Sequence, residues 1–197
     1  LLASSAASDV YKRQDMYIYG KLGNLIMTKE GINVLMTNLT GKVPPILQRL
    51  DYIRFNGEAA GYLHDLTLTG LFYTGAGMVK TDVMMSIDEQ SMSRTYSGSV
   101  ASADLDLGKL LNQEKKFGKV DFNVELKGFN YKNRYPESYI KGIISSFEYS
   151  QYQYENIMLD GVYKDGGFNG RLSMDDANGS VQICLLYTSP SPRDTER

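Results

Sequence analysis

GKVDFNVELKG, residues Gly118 to Gly128, alternates without a fault. Val120, Phe122, Val124 and Leu126 fall on one side; Asp121, Asn123, Glu125 and Lys127 fall on the other. A strand repeats its side-chain direction every two residues, so this stretch buries one face and wets the other. A helix would scatter the same apolar residues around its circumference. Glycine closes the stretch at both ends. The same apolar-x-Gly ending recurs at Phe55-Asn-Gly57, Leu68-Thr-Gly70, Tyr96-Ser-Gly98, Ile140-Lys-Gly142, Leu159-Asp-Gly161 and Phe168-Asn-Gly170. Its spacing is uneven, so it is a loose repeat and not a solenoid of fixed period.

Further strands read outward from this one. Asp15–Leu22, Tyr52–Phe55, the run Leu66-Thr-Leu-Thr-Gly-Leu-Phe72, Met78–Ile87, Arg94–Ala103, Ser138–Tyr149, Tyr152–Tyr163 and Gly167–Met174 all fit, and Val181 begins another. Gly31–Thr37 alternates too, with Ile32, Val34 and Met36 on one side, and is expected to be a strand. Lys42–Leu50 differs: a double proline precedes Ile46, Leu47 and Leu50 at helical spacing, and proline suits a first helical turn. One short helix is expected near residues 44–50. Leu105, Leu107, Leu110 and Leu111 suggest a single helical turn. The expected fold is all-β: a curled, mostly sequentially paired sheet, an open trough of the β-taco kind.

The two ends read differently. Ser4–Gln14 and Cys184–Asp194 look like translated sequencing-adapter DNA. GATGTGTATAAGAGACAG encodes Asp9–Gln14, and its reverse complement, read one base in, encodes Cys184–Ser189. Residues 1–14 and about 184–197 are therefore expected to be artefactual and disordered. Residues 15–183 are expected to form a single β-rich segment of a longer protein.

The end stretches carry four of the 21 Lys and Arg and three of the 23 Asp and Glu, so the remainder has a net charge of about −3. That gives no basic field for a phosphate backbone, so no nucleic acid is expected as a partner. The one cysteine, Cys184, lies in an end stretch. No apolar run is long enough to span a membrane as a helix.

No catalytic constellation emerges, and an enzyme is not expected. Gly75-Ala-Gly77-Met-Val-Lys80-Thr81 lacks the spacing of a phosphate loop and reads as a hairpin glycine pair. His64, the only histidine, has no His or Cys partner for metal or base chemistry. Asp175 and Asp176 lack the other oxygens of a calcium loop and read as a polar turn. No metal or cofactor is expected. Tyr149, Tyr152 and Tyr154 read as cross-strand packing, with a carbohydrate platform as the sharper alternative. Met78, Met84, Met85 and Met158 read as core filler, with a greasy groove as the alternative. Asn38-Leu-Thr40 and Asn178-Gly-Ser180 match a glycosylation acceptor pattern.

From about Arg49 to Gln182 the chain resembles the TamB-like translocation and assembly module family, within the AsmA-like superfamily, of the Bacteroidota type. The residues that carry this are RLDYIRFNGEAAGYLHDLTLTGLFYTGAGMVKTD (49–82), YSGSVASADLDLGKLL (96–111) and YIKGIISSFEYSQYQYENIMLDGVYKDGGFNGRLSMDDAN (139–178). Ser150-Gln151 departs from the Asn-Gly turn that the pattern suggests. The resemblance implies a periplasmic cell-envelope protein anchored in the inner membrane by an N-terminal helix outside this chain. It also implies membrane contact through parts outside the chain and an apolar β-trough that moves phospholipid towards the outer membrane. With the one-sided strands, it points to Leu66, Leu68, Phe72, Val120, Phe122, Val124, Leu126, Ile157 and Leu159 as the lipid lining. Glycines in line with them, such as Gly70 and Gly161, are expected to leave room in the trough. Two alternatives stand beside it: a scaffold assisting assembly of an outer-membrane β-barrel protein, and a surface β-sandwich interaction domain.

Overall fold

A computed structural model describes residues 17–40, 43, 45–62, 64–88, 93–130, 137–164 and 167–185. Its elements are β1 (Tyr17–Thr28), helix α1 (Lys29–Thr40), a 3-10 turn (Leu47–Arg49), β2 (Tyr52–Tyr62), β3 (Asp65–Thr74), β4 (Gly77–Asp88) and β5 (Ser93–Asp106), followed by the short helix α2 (Leu107–Leu111). After it come β6 (Phe117–Asn130), β7 (Glu137–Tyr149), β8 (Tyr152–Lys164), β9 (Gly167–Asp176) and β10 (Gly179–Leu185). The strands form one ten-stranded sheet in sequence order, antiparallel throughout, and it is not closed. The expected all-β sequential sheet is what the chain adopts. β10 includes Cys184 and Leu185, paired with Arg171 and Gly170. The structure thus departs from the expected disorder at those two residues, because the preceding strand offers a regular partner. Residues 1–14 and 186–197 lie outside the described residues.

The strand expected over Gly31–Thr37 does not form. Gly31–Thr37 is helical, within α1. Ile32 and Met36 are four residues apart, a spacing that fits period 2 and period 3.6 equally well. Val34 breaks the tie: Ile32 is 1% exposed and Val34 is 63% exposed. Thr28 caps the helix, its hydroxyl accepting from Gly31 N at 3.5 Å, as small hydroxyl residues do at helix starts. Near residues 44–50 only the 3-10 turn forms, with no side-chain cap at its start; Pro44 lies outside the described residues.

The helical pieces gather at one end of the sheet. Ile32, Leu50, Ile53, Ala76, Leu105, Leu110 and Val120 form the buried cluster there, with Met36, Leu47, Phe72, Val79 and Phe122 packed against it. The Leu105-Asp-Leu-Gly-Lys-Leu-Leu111 motif is the hinge of this cap. The Asp106 side chain accepts from Lys109 N at 3.0 Å and starts α2, and Asn112 ends it in the left-handed region at φ 55°. A Cβ at Gly108 would lie 2.2 Å from the Phe117 carbonyl oxygen, so only glycine fits. Arg49 Nη1 donates to Leu110 O at 2.7 Å and ties the 3-10 turn to α2.

The hairpins are tight. Gly75-Ala76 joins β3 to β4, as the glycine pair predicts. At the β9–β10 turn, Asp176 Oδ1 accepts from Asn178 N at 2.8 Å and Gly179 N at 3.1 Å. That carboxylate works as a turn-former. Ser150 and Gln151 join β7 to β8 with φ of 50° and 69°. Two successive left-handed residues match the twist of a two-residue hairpin, which usually employs Asn-Gly. The departure from Asn-Gly is thus a strained version of the same turn.

Replacing Ser150-Gln151 by Asn-Gly is expected to raise unfolding stability by about 1 kcal/mol, read by urea denaturation. Burial of Asp106 raises its carboxyl affinity for protons, but the Lys109 N–H, with the Lys109 and Lys119 charges, outweighs it and holds the pKa below the usual aspartate value. A lowered folded pKa means that the stabilisation is present above the ordinary aspartate pKa and is lost as pH falls through the lowered one. Asp106→Ala is therefore expected to cost about 1 kcal/mol at neutral pH. The difference from the unaltered chain should vanish in acid unfolding titrations below that range.

Candidate functional site

Antiparallel register places directly paired residues on the same face, so the pairings trace rows across the sheet. One row runs Leu25, Phe55, Phe72, Val79, Ser102, Phe122, Ile144, Ile157, Met174, Val181. The next, two residues along each strand and three across the β1 bulge, runs Leu22, Gly57, Gly70, Thr81, Val100, Val124, Gly142, Leu159, Leu172, Ile183. Neither carries a charge. Leu68 and Leu126 lie in a third row through Val83 and Gly98, and Leu66 in a fourth through Met85 and Tyr96. Val120 pairs with Leu105 and Phe147 on the same face. All nine residues singled out from the sequence therefore share one face of the sheet.

The opposite face has the complementary pattern. Lys21, Glu58, Thr69, Asp82, Ser99, Glu125, Lys141, Asp160 and Arg171 form one unbroken polar row. Lys21 meets Glu58 at 3.5 Å, Thr69 Oγ1 donates to Asp82 at 2.9 Å and Lys141 meets Asp160 at 3.8 Å. Exposed pairs of this kind stabilise by less than about 1 kcal/mol each. Their weight lies in register, since a one-residue slip would carry this row to the apolar side.

The apolar face is the more sheltered one. Thr81, Val124 and Ile157 are 9%, 9% and 8% exposed, although no second sheet covers them among the described residues. Ile143 and Met158, on the opposite face of the same strands, are 48% and 54% exposed. A single layer gives this asymmetry when it curls over one face. The polar groups on that face are turned back on the sheet. Thr81 Oγ1 donates to Gly70 O at 3.5 Å, Ser102 Oγ donates to Met78 O at 2.6 Å, and the Tyr96 hydroxyl bonds the Ser138 hydroxyl.

The nine residues divide in two. Val120 belongs to the buried cluster beneath the helical cap, and Phe72 and Phe122 pack against it. Their partners are protein side chains. Leu66, Leu68, Val124, Leu126, Ile157 and Leu159 lie beyond that cluster.

The glycines do not leave open room as expected. The Phe55 ring lies across Gly57 and Gly70: a Cβ at Gly57 would sit 2.7 Å from Phe55 Cζ, and one at Gly70 would sit 2.8 Å from Phe55 Cε2. Phe168 does the same at Gly161, where a Cβ would sit 2.5 Å from its Cζ. Glycine here gives aromatic rings a floor on which to lie flat. Phe55 also meets Phe72 at 4.7 Å between ring centroids.

Two grooves open on the polar face, and Met158 and Met84, for which a greasy groove is the alternative to core filler, line one each. The larger described groove, about 970 Å³, crosses the polar face over β6–β10, with Ile143 and Met158 beside Glu125, Lys141, Asp160 and Arg171; of the nine residues only Leu159 borders it. A second, about 470 Å³, holds Met84, Lys127, Phe129, Tyr139 and Val162. The signal was the doubled apolar pairs Met84-Met85, Ile143-Ile144 and Met158-Leu159, which place one member on each face. Met84, Met85 and Met158 are 51%, 44% and 54% exposed, so they do not fill a core. Tyr149, Tyr152 and Tyr154 pack with Phe117 and Phe147, the closest ring pair being Tyr152–Tyr154 at 4.6 Å.

No group of metal-ligating side chains occurs among the described residues, and no described helix is long and apolar enough to cross a membrane. His64 sits in the β2–β3 turn, where its carbonyl accepts from Ile87 N at 2.7 Å. No protein-family model, curated protein or solved structure matches the chain.

Gly57→Val would set a Cβ 2.2 Å from Thr69 O and 2.7 Å from Phe55 Cζ, and is expected to lower stability by about 3 kcal/mol or more in urea unfolding. Gly20→Val, on the same face with nothing within 4 Å of its Cβ position, should change stability by less than about 0.5 kcal/mol.

Proposed function

We propose that the apolar face of this sheet carries the acyl chains of phospholipid. In this reading the chain is a segment of an envelope protein of the TamB-like translocation and assembly module type, which moves phospholipid towards the outer membrane. The observation that carries the reading is the set of charge-free rows crossing all ten strands on one face, uncovered by a second sheet among the described residues. A row of ten strands, at roughly 4.8 Å per strand, extends over about 43 Å. The tails of one leaflet fill only about 15 Å, a length that the part of the face beyond the helical cap can hold. Lipid tails need no hydrogen-bond partner, and the hydroxyls on this face already have theirs. The sequence motifs from Arg49 to Gln182 add the family resemblance. A β-sandwich would need a second sheet, and the ten described strands form one.

The test is lipid loading. The purified full chain is incubated with phosphatidylethanolamine vesicles, re-isolated and extracted for mass spectrometry. The unaltered chain should hold phospholipid. Val124→Glu and Leu159→Glu should lower the load at least tenfold, because each puts a carboxylate in the apolar row. Ile143→Glu, a charge on the opposite face of the same region, should leave it unchanged. An unaltered chain that retains no lipid, or equal loss in Ile143→Glu, overturns the reading.

A further inference from the structure

The apolar face changes character along its strands. At one end the helical cap closes it over Ile53, Leu105 and Val120. The two charge-free rows come next, and two further rows follow in the same direction. The first runs Val83, Gly98, Leu126, Ile140, Gly161; the second runs Met85, Tyr96, Gly128, Ser138, Tyr163. Neither carries a charge, but the second carries hydroxyls. Those of Tyr96 and Ser138 bond each other. Tyr163 is 40% exposed, and its hydroxyl has no partner among the described residues. One row further, Arg94 lies between Ile87 and Asn130. Arg94 is exposed. Among the described residues neither its guanidinium nor the Asn130 amide has a hydrogen bond or an ion pair.

We propose that Arg94 and Asn130 hold the phosphate of a phospholipid whose tails lie along the strands and point towards the helical cap. The proposal rests on the phospholipid reading above and adds to it an orientation and a headgroup site. Lengths agree with it. From Val124 to Asn130 is six steps along β6, roughly 20 Å. Tails of about 15 Å reach from the Val124 row to the row of Tyr96 and Ser138, and the phosphate then falls beside Arg94. A guanidinium fork matches two phosphate oxygens, and the adjacent Asn130 amide adds a neutral donor. The opposite orientation would press the phosphate towards Phe72, Val79 and Phe122, which pack on the buried cluster. A charge without a donor is costly there. The polarity of the face along its strands thus matches the polarity of one lipid, and the cap leaves only the Arg94 end for the head.

The test compares two lipids with the same tails. The full chain is incubated with vesicles of phosphatidylethanolamine and diacylglycerol in equal amounts, re-isolated and extracted for mass spectrometry. The unaltered chain should retain phosphatidylethanolamine about fivefold or more over diacylglycerol, which lacks the phosphate. Arg94→Gln should bring that ratio close to one while leaving the diacylglycerol load unchanged, and Arg94→Lys should restore part of the preference. Arg94 is exposed, so circular dichroism of both variants should match the unaltered chain. Phosphatidylethanolamine with a photoreactive diazirine at its tail end should label the rows of Val124 and Ile157. A chain that retains neither lipid overturns the phospholipid reading and this proposal with it. Equal retention of both lipids by the unaltered chain overturns the headgroup site alone. So does a ratio that Arg94→Gln leaves unchanged, or tail-end labelling confined to the row of Tyr96 and Tyr163.

Discussion

Everything in this molecule depends on register between neighbouring strands. Side chains alternate with period two, so a pairing shifted by one residue would move Val124 to the wet face and Glu125 to the dry one. The nine successive pairings keep two charge-free rows on one face of all ten strands. The bulges in the β1–β2, β5–β6 and β6–β7 pairings are absorbed without changing face: Leu25, Leu105 and Phe147 return to the apolar side after them. Hydrogen bonding alone would permit many registers. The apolar rows select one, and the polar ladder through Glu58, Asp82, Lys141 and Asp160 penalises the others.

Within that frame, bulk is arranged against absence of bulk. Phe55 and Phe168 are long enough to cover a neighbouring strand, and they lie flat only because Gly57, Gly70 and Gly161 present bare backbone. The helical cap solves a different problem. One end of the apolar face would otherwise meet water, and α1, the 3-10 turn and α2 close it with Ile32, Leu50 and Leu110. Asp106 and Gly108 then have defined tasks, the first starting α2 and the second letting it approach Phe117.

The strands were legible because a half-buried strand writes its face into every second residue, as Gly118–Gly128 does. Sequential pairing followed from short connections, and the nine chosen residues do share a face. What stayed hidden follows from ambiguity of period and from the third dimension. Ile32 and Met36 suit a strand or a helix, and only the exposure of Val34 separates them. Phe72, Val120 and Phe122 look identical to Leu126 and Leu159 in pattern, yet the cap covers the first group. That cover comes from segments up to about ninety residues away along the chain. Glycine in line with apolar residues reads as vacancy; which ring lies across it depends on the neighbouring strand. The grooves on the polar face arise from doubled apolar pairs, which pattern reading assigns to one face at a time.

The unbroken strand order has a kinetic and evolutionary consequence. Each strand finds its partner in the strand just made, so no pairing waits for a distant segment. Contact order stays low for an all-β chain, and such chains avoid the slow loop closures that delay sandwiches and barrels. Folding can advance from one terminus as the chain emerges. For the same reason a hairpin can be duplicated or deleted in the middle without rewiring its neighbours. Two strands added together restore direction and face parity, so the length of the apolar surface is a quantity that such a chain can change in steps of one hairpin.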